Sequence, residues 1–357
     1  MKTTQQTSRW VWLSVAALLI GTISGQCPTV DEDCYCRYKT IGLTTEQHVY
    51  CVDLGNRIQV PPFSPSYKDT VVLDFRGDTQ IGLIQDNALE DMRVLELQLD
   101  SLGVERLESE AFNGLQDYLQ ELSLDNNRLG LNSLPDDVFH GLKKLRYLDL
   151  ENNGFEMVNN LTFATLENLL YLKLQNNVIT DLSEDSFADL NSLRGLYLQH
   201  NRISTLPEGV FRSQMDLLIL DLSDNLLSDI PEESFESMSP LEILNLANND
   251  LESLTPEMLD GLTRLVDLNV SSNHISVIEQ DLLWDSPALR RLDLSDNGIQ
   301  EIPSGALDFL RELGIFSCHS NKLENLPPGV FHNMSKLEAV ILYDNNIQEI
   351  EDGAFAN

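Results

Sequence analysis

Four cysteines, Cys27, Cys34, Cys36 and Cys51, follow one another with the spacing C-x6-C-x-C-x14-C, and the remaining one, Cys318, lies far downstream. Close spacing of this kind suits a disulfide knot made in an oxidising compartment. Four cysteines admit three pairings, and spacing does not choose among them. A zinc site is the competing chemistry, but no cluster of histidines accompanies the cysteines. Elsewhere the reactive patterns are sparse. There is no G-x-S-x-G elbow, no H-E-x-x-H helix and no phosphate-cradling glycine loop, and the six histidines are scattered. No enzyme, cofactor or resident metal is expected. The adjacent pair Cys318-His319 sits in Leu313-x-x-Phe316-x-Cys318, where the thiol takes an inward slot and the imidazole the opposite face, so a buried inert thiol is expected. Asp221 with Asp224, and Asp293 with Asp296, suggest calcium at first sight, but that ion wants about six or more converging oxygens. Exposed carboxylates at these places are read as solvated. Three N-x-S/T sequons, at Asn160, Asn269 and Asn333, are candidate glycosylation sites.

The elements that carry these residues come from one repeated pattern, L-x-x-L-x-L-x-x-N-x-L. Its asparagine falls at Asn127, Asn153, Asn177, Asn201, Asn225, Asn249, Asn273, Asn297, Asn321 and Asn345, in steps of 24 from Asn153 onward. Asp78 and Asp100 are placed in the same slot of two looser early copies, which gives about twelve repeats over 70–357, the last incomplete. A second column, Phe139, Phe163, Phe187, Phe211, Phe235, Leu259, Leu283, Leu307, Phe331 and Phe355, keeps the same period. Alternation in stretches such as Leu220-Asp221-Leu222-Ser223 predicts a short strand with leucines inward and Asp221 and Ser223 outward. Stacked coils would then pair their strands in parallel, and the asparagine column would satisfy backbone groups where the chain leaves the strand. The outward positions on the concave sheet are free of packing demands and form the expected partner-binding surface. They include Tyr147, Tyr171, Lys173, Tyr197 and His200, then Ile219 and Ile243. The three tyrosines are expected to stack as one ridge at the repeat spacing, in the composition of an interface core.

Charge narrows the partner. With 23 Lys+Arg against 57 Asp+Glu the net charge is −34, which opposes nucleic acid and anionic membranes. Leucine recurring along the whole chain opposes disorder. Residues 1–25 carry Lys2 and Arg9, an apolar run from Trp10 to Ile20, and small or polar residues to Gly25, as a cleaved secretory signal does. That run is shorter than the roughly 20 residues of a membrane span, and no later stretch is apolar enough to be one. A secreted chain with a cysteine-rich cap over 26–69 is expected.

On these motifs the chain resembles an extracellular leucine-rich-repeat protein of the 24-residue type with a cysteine-rich N-terminal cap. The resemblance implies an α/β horseshoe solenoid with a parallel sheet on the concave face and an irregular, short-helical convex side. It also implies the pairings Cys27–Cys36 and Cys34–Cys51. Proteins of this kind act in adhesion, extracellular matrix and innate recognition, or as non-catalytic subunits of secreted enzymes. An extracellular protein or glycan ligand is therefore expected. No C-terminal cysteine cap follows the last repeat, so Leu337, Val340, Leu342, Ile347, Ile350 and Phe355 are expected to leave an apolar end open to self-association.

Overall fold

A computed structural model describes residues 81–355 apart from 91–93, 131–132 and 159, together with the backbone of three earlier strands over 34–76. The residues 1–33, with the signal segment and Cys27, lie outside it, as do the side chains of Cys34, Cys36 and Cys51.

Fourteen strands make one sheet. It opens with an antiparallel hairpin, β1 (Cys34–Ile41) and β2 (Thr44–Val52), in which Cys34 stands opposite Cys51 in register. Every later pairing is parallel, in sequence order: β3 (Thr70–Arg76), β4 (Glu96–Gln98), β5 (Glu121–Ser123), β6 (Tyr147–Asp149), β7 (Tyr171–Lys173), β8 (Gly195–Tyr197), β9 (Ile219–Asp221), β10 (Ile243–Asn245), β11 (Asp267–Asn269), β12 (Arg291–Asp293), β13 (Ile315–Ser317) and β14 (Ala339–Ile341). The chain is a leucine-rich-repeat solenoid. Its strands are short because alternation lasts only while Leu-x-Leu faces the core. Leu196, Leu198, Leu220 and Leu222 are fully buried. Among the described residues the convex side returns through turns, with one short helix, α1 (Asn160–Phe163), and one 3-10 turn at Pro256–Met258.

Two columns hold the coils together. The aromatic column stacks ring on ring, Phe187 to Phe211 at 6.1 Å and Phe211 to Phe235 at 6.3 Å between centroids. The asparagine column is a hydrogen-bond ladder. Asn225 Nδ2 donates to the carbonyls of Leu198 at 3.0 Å and Leu222 at 3.0 Å, while its Oδ1 accepts from Ile203 N at 3.0 Å. Each asparagine thus ties its own turn to the coil before it, satisfying backbone groups that would otherwise be buried unpaired.

The residue just before each ladder asparagine has a left-handed backbone: Asn126, Asn152, Asn176, His200, Asp224, Asn248, Ser272, Asp296, Ser320 and Asp344 all have φ between 52° and 57°. Asn and Asp tolerate this region better than other side chains, which accounts for their dominance there.

The early coils correct the register read from sequence. Leu73 pairs with Leu97, Leu97 with Leu122 and Leu122 with Leu148, so the steps are 24, 25 and 26. Leu102, buried, holds the ladder position of that coil, not Asp100, which aligns with Asp125 two residues earlier. An apolar residue in the slot makes the pattern slip onto the nearest carboxylate.

Candidate functional site

Two lanes of side chains face outward on the sheet, set by the first and third residue of each strand. Register runs the first lane through Glu96, Glu121, Tyr147, Tyr171, Gly195, Ile219, Ile243, Asp267, Arg291 and Ile315. The second runs through Gln98, Ser123, Asp149, Lys173, Tyr197, Asp221, Asn245, Asn269, Asp293 and Ser317.

The three tyrosines therefore do not form one ridge. Tyr147 and Tyr171 are register partners with ring centroids 6.5 Å apart, but the position 24 residues after Tyr171 is Gly195, and Tyr197 stands in the other lane. Gly195 is what brings them together. A Cβ on it would lie 2.7 Å from Tyr171 Cδ1 and 3.1 Å from Tyr197 Cε2. The Tyr171 ring thus folds down over bare backbone, and Tyr197 meets it from the second lane. Ile219 and Ile243 continue the first lane, with Ile243 38% exposed. The result is a low aromatic platform bordered by two isoleucines.

A fixed polar group anchors one side. Lys173 Nζ lies 2.9 Å from Asp149 Oδ2 and 5.2 Å from the centroid of the Tyr147 ring, and Tyr147 Oη donates to the same Asp149 oxygen at 3.1 Å. Burial, with the charge of Asp149 beside it, raises the Tyr147 phenol well above its usual range. Burial likewise raises Tyr197, helped by neighbouring Tyr171. Both remain neutral donors at ordinary pH.

His200 is not on this platform. It occupies the left-handed turn after the strand, exposed, with Nδ1 3.5 Å from Asp224 Oδ2. Ser223 and Ser295 are buried, where sequence alternation places them outward. Ser223 donates its backbone N–H and hydroxyl to Asp221 Oδ1 at 3.0 and 2.7 Å, and Ser295 does the same with Asp293 at 3.1 and 2.6 Å. These carboxylates are engaged in closing the strand end. Among the described residues, no group of three or more His, Cys, Asp or Glu is placed to hold a metal ion. Cys318 is fully buried, and burial pushes its thiol up to about 12. His319 on the other face stacks on Tyr343, centroids 4.3 Å apart.

The sequons sit in three settings. Asn160 opens the short convex helix and Asn333 is exposed in a turn with φ 60°. Asn269 is half-buried in the second lane, its Oδ1 accepting from Ser271 N at 3.0 Å.

The leucine-rich-repeat family model matches residues 93–155, 148–203, 193–251, 215–275 and 263–317. The chain belongs to the leucine-rich-repeat family. Among solved structures it resembles a TLR13–ssRNA13 complex, with a TM-score of 0.70 and 24% identity, covering 79% of this chain and 43% of that one. A leucine-rich-repeat protein of Leptospira interrogans gives 0.61 and 24%, covering 79% and 80%. The Drosophila Toll–Spatzle complex gives 0.67 and 21%, covering 81% and 43%. The chain thus spans less than half of the TLR13 and Toll chains. At these identities the likeness is one of fold. No curated protein matches the sequence. No helix among the described residues is long and apolar enough to cross a membrane.

Sequence counting missed Gly195 as a determinant of the platform. The signal was present, since a glycine interrupts a lane otherwise filled by Tyr and Ile.

Proposed function

We propose that this leucine-rich-repeat protein is a secreted, non-enzymatic binding module of adhesion, matrix or recognition, which grips a protein partner on its concave sheet. The observation that carries the reading is the platform of Tyr147, Tyr171 and Tyr197 levelled by Gly195 and extended by Ile219 and Ile243. Packing does not require aromatic rings on a solvent face, and tyrosines beside isoleucines are the composition of interface centres. Secretion is supported by the signal-like residues 1–25 and by the clustered cysteines, with Cys27–Cys36 and Cys34–Cys51 as the proposed pairing. The TLR13 structure is a complex with single-stranded RNA and the Toll structure a complex with Spatzle. A net charge of −34 directs the present chain to protein and away from RNA. Asn160 and Asn333 are the sequons proposed to carry glycan clear of this face.

The test is capture of partners from extracellular fluid on immobilised protein, with Tyr171→Ala and the exposed convex Glu208→Ala compared against the parent. Tyr171→Ala is expected to lower affinity for a captured partner by about 1–2 kcal/mol, and Glu208→Ala to leave it unchanged. Equal capture by all three proteins would move the site off the concave platform.

A further inference from the structure

The platform already holds one cation from within. Lys173 lies over the Tyr147 ring and on the Asp149 carboxylate, so its ion pair is committed to the earlier coil. Tyr197 stands beside its register partner Asp221 in the second lane, and among the described residues no Lys, Arg or His forms an ion pair with Asp221. Burial raises the Asp221 carboxyl above its usual range, against the hydrogen bonds from Ser223 and Asn245 that lower it.

The surroundings are polarised across the strands. Where the chain leaves them stand Asp100, Glu151 and Asp224. The buried amide oxygens Gln175 Oε1 and Gln199 Oε1, on the same margin, have no hydrogen-bond partner. Side-chain donors of this margin, Asn152, Asn176, Asn248 and His200, already engage Glu151 and Asp224, which leaves the glutamine oxygens as its unmet acceptors. One residue ahead of the strands the exposed Arg146 and Arg194 mark the opposite margin.

We infer that the partner presents a basic segment to this face, with an arginine or lysine seated over the Tyr197 ring and paired with Asp221. The inference rests on the proposed binding role of the concave sheet. An arginine suits the place best, because its planar fork stacks on a ring while donating to the carboxylate beside it. Arg146 and Arg194 repel the same group from the entry margin, which fixes the direction in which the segment lies. The net charge of −34 draws such a partner in before contact.

The test uses a fluorescein-labelled nona-arginine peptide, read by anisotropy against the parent, Asp221→Asn, Tyr197→Leu and the convex Glu208→Gln. Asp221→Asn isolates charge from structure, because Asn269 in the same lane accepts from Ser271 N and Oγ at 3.0 and 2.7 Å, as Asp221 does from Ser223. Each platform variant is expected to weaken binding by about fivefold or more, with Glu208→Gln within error of the parent. Equal effects of Asp221→Asn and Glu208→Gln would show attraction to diffuse charge and overturn the assignment. A partner captured from extracellular fluid distinguishes the two levels of the argument. If its affinity falls with Tyr171→Ala but ignores Asp221→Asn and added salt, or if it proves to be an uncharged glycan, the basic-segment inference fails and the concave site stands. Indifference to Tyr171→Ala, Tyr197→Leu and Asp221→Asn alike removes the site itself.

Discussion

Gly195→Ala is the most discriminating single change in this molecule. The backbone of Gly195 has no positive φ, so alanine meets no conformational penalty there. The cost is local: the new Cβ would stand 2.7 Å from Tyr171 Cδ1 and 3.1 Å from its Cε1, where carbon atoms prefer about 3.5–4.0 Å. The ring must lift by about 1 Å or change rotamer, at about 0.5–1.5 kcal/mol, and part of its tilted contact with Tyr147 goes with it. Against this, replacing glycine within a strand returns about 0.5–1 kcal/mol of conformational entropy. The two nearly cancel, so stability should change by less than about 1 kcal/mol. Binding should not be spared. A platform raised under its ligand should lose about 1–2 kcal/mol, or about five- to thirtyfold in Kd. Titration calorimetry with a captured partner and thermal melts of the free protein measure both. Unchanged affinity, with the Tyr171 ring shown by NMR to have moved, would refute the platform as the binding surface. A melting loss as large as that of a core truncation would refute the account of Gly195 as a spacer on an open face.

Three further outcomes follow from the columns. Phe211→Ala removes a fully buried ring stacked on both neighbours and should cost about 3–5 kcal/mol in urea unfolding, with hydrogen exchange rising first in the coils around residues 187–235. Asn225→Ala removes the group bonded to Leu198, Leu222 and Ile203 and leaves buried carbonyls and an N–H unpaired, so about 2–4 kcal/mol should be lost; Asn225→Asp, which keeps the acceptor for Ile203 but not the donor, should be no better. Cys318 stays protonated in the fold while the unfolded thiol ionises from its ordinary 9.0, so the folded state binds more protons and stability falls as pH rises from about 9 toward 12. Urea melts at pH 8 and 10 should show a loss larger by about 1 kcal/mol in the parent than in Cys318→Ala, with the loss common to both coming from the raised Tyr147 and Tyr197 phenols. Equal losses in both proteins would place the titration elsewhere.

The solenoid was legible because its information is periodic. Leu220 and Leu222 must face the core in every coil, and Asn225 must bridge to Leu198, so each coil repeats the constraints of the last. Where one residue breaks the period, reading by column fails: Leu102 in an asparagine slot shifted an entire repeat, and the left-handed turn took His200 off the face that alternation assigned to it. The site was legible in its parts but not in its arrangement. Tyr147, Tyr171 and Tyr197 announce themselves as outward aromatics, yet whether they meet depends on a glycine, whose contribution is the volume it does not fill. The same logic explains why the two lanes carry functional information at all. Inward positions are nearly all Leu, since only volume and apolarity are tested there. Outward positions range from Glu121 through tyrosine, glycine and isoleucine to Arg291 along one lane of a single sheet, with no packing requirement to vary them. A Tyr–Gly–Ile run set against Asp221, which has no ion-pair partner among the described residues, is the composition that a partner with its own charge and shape would select on such a face.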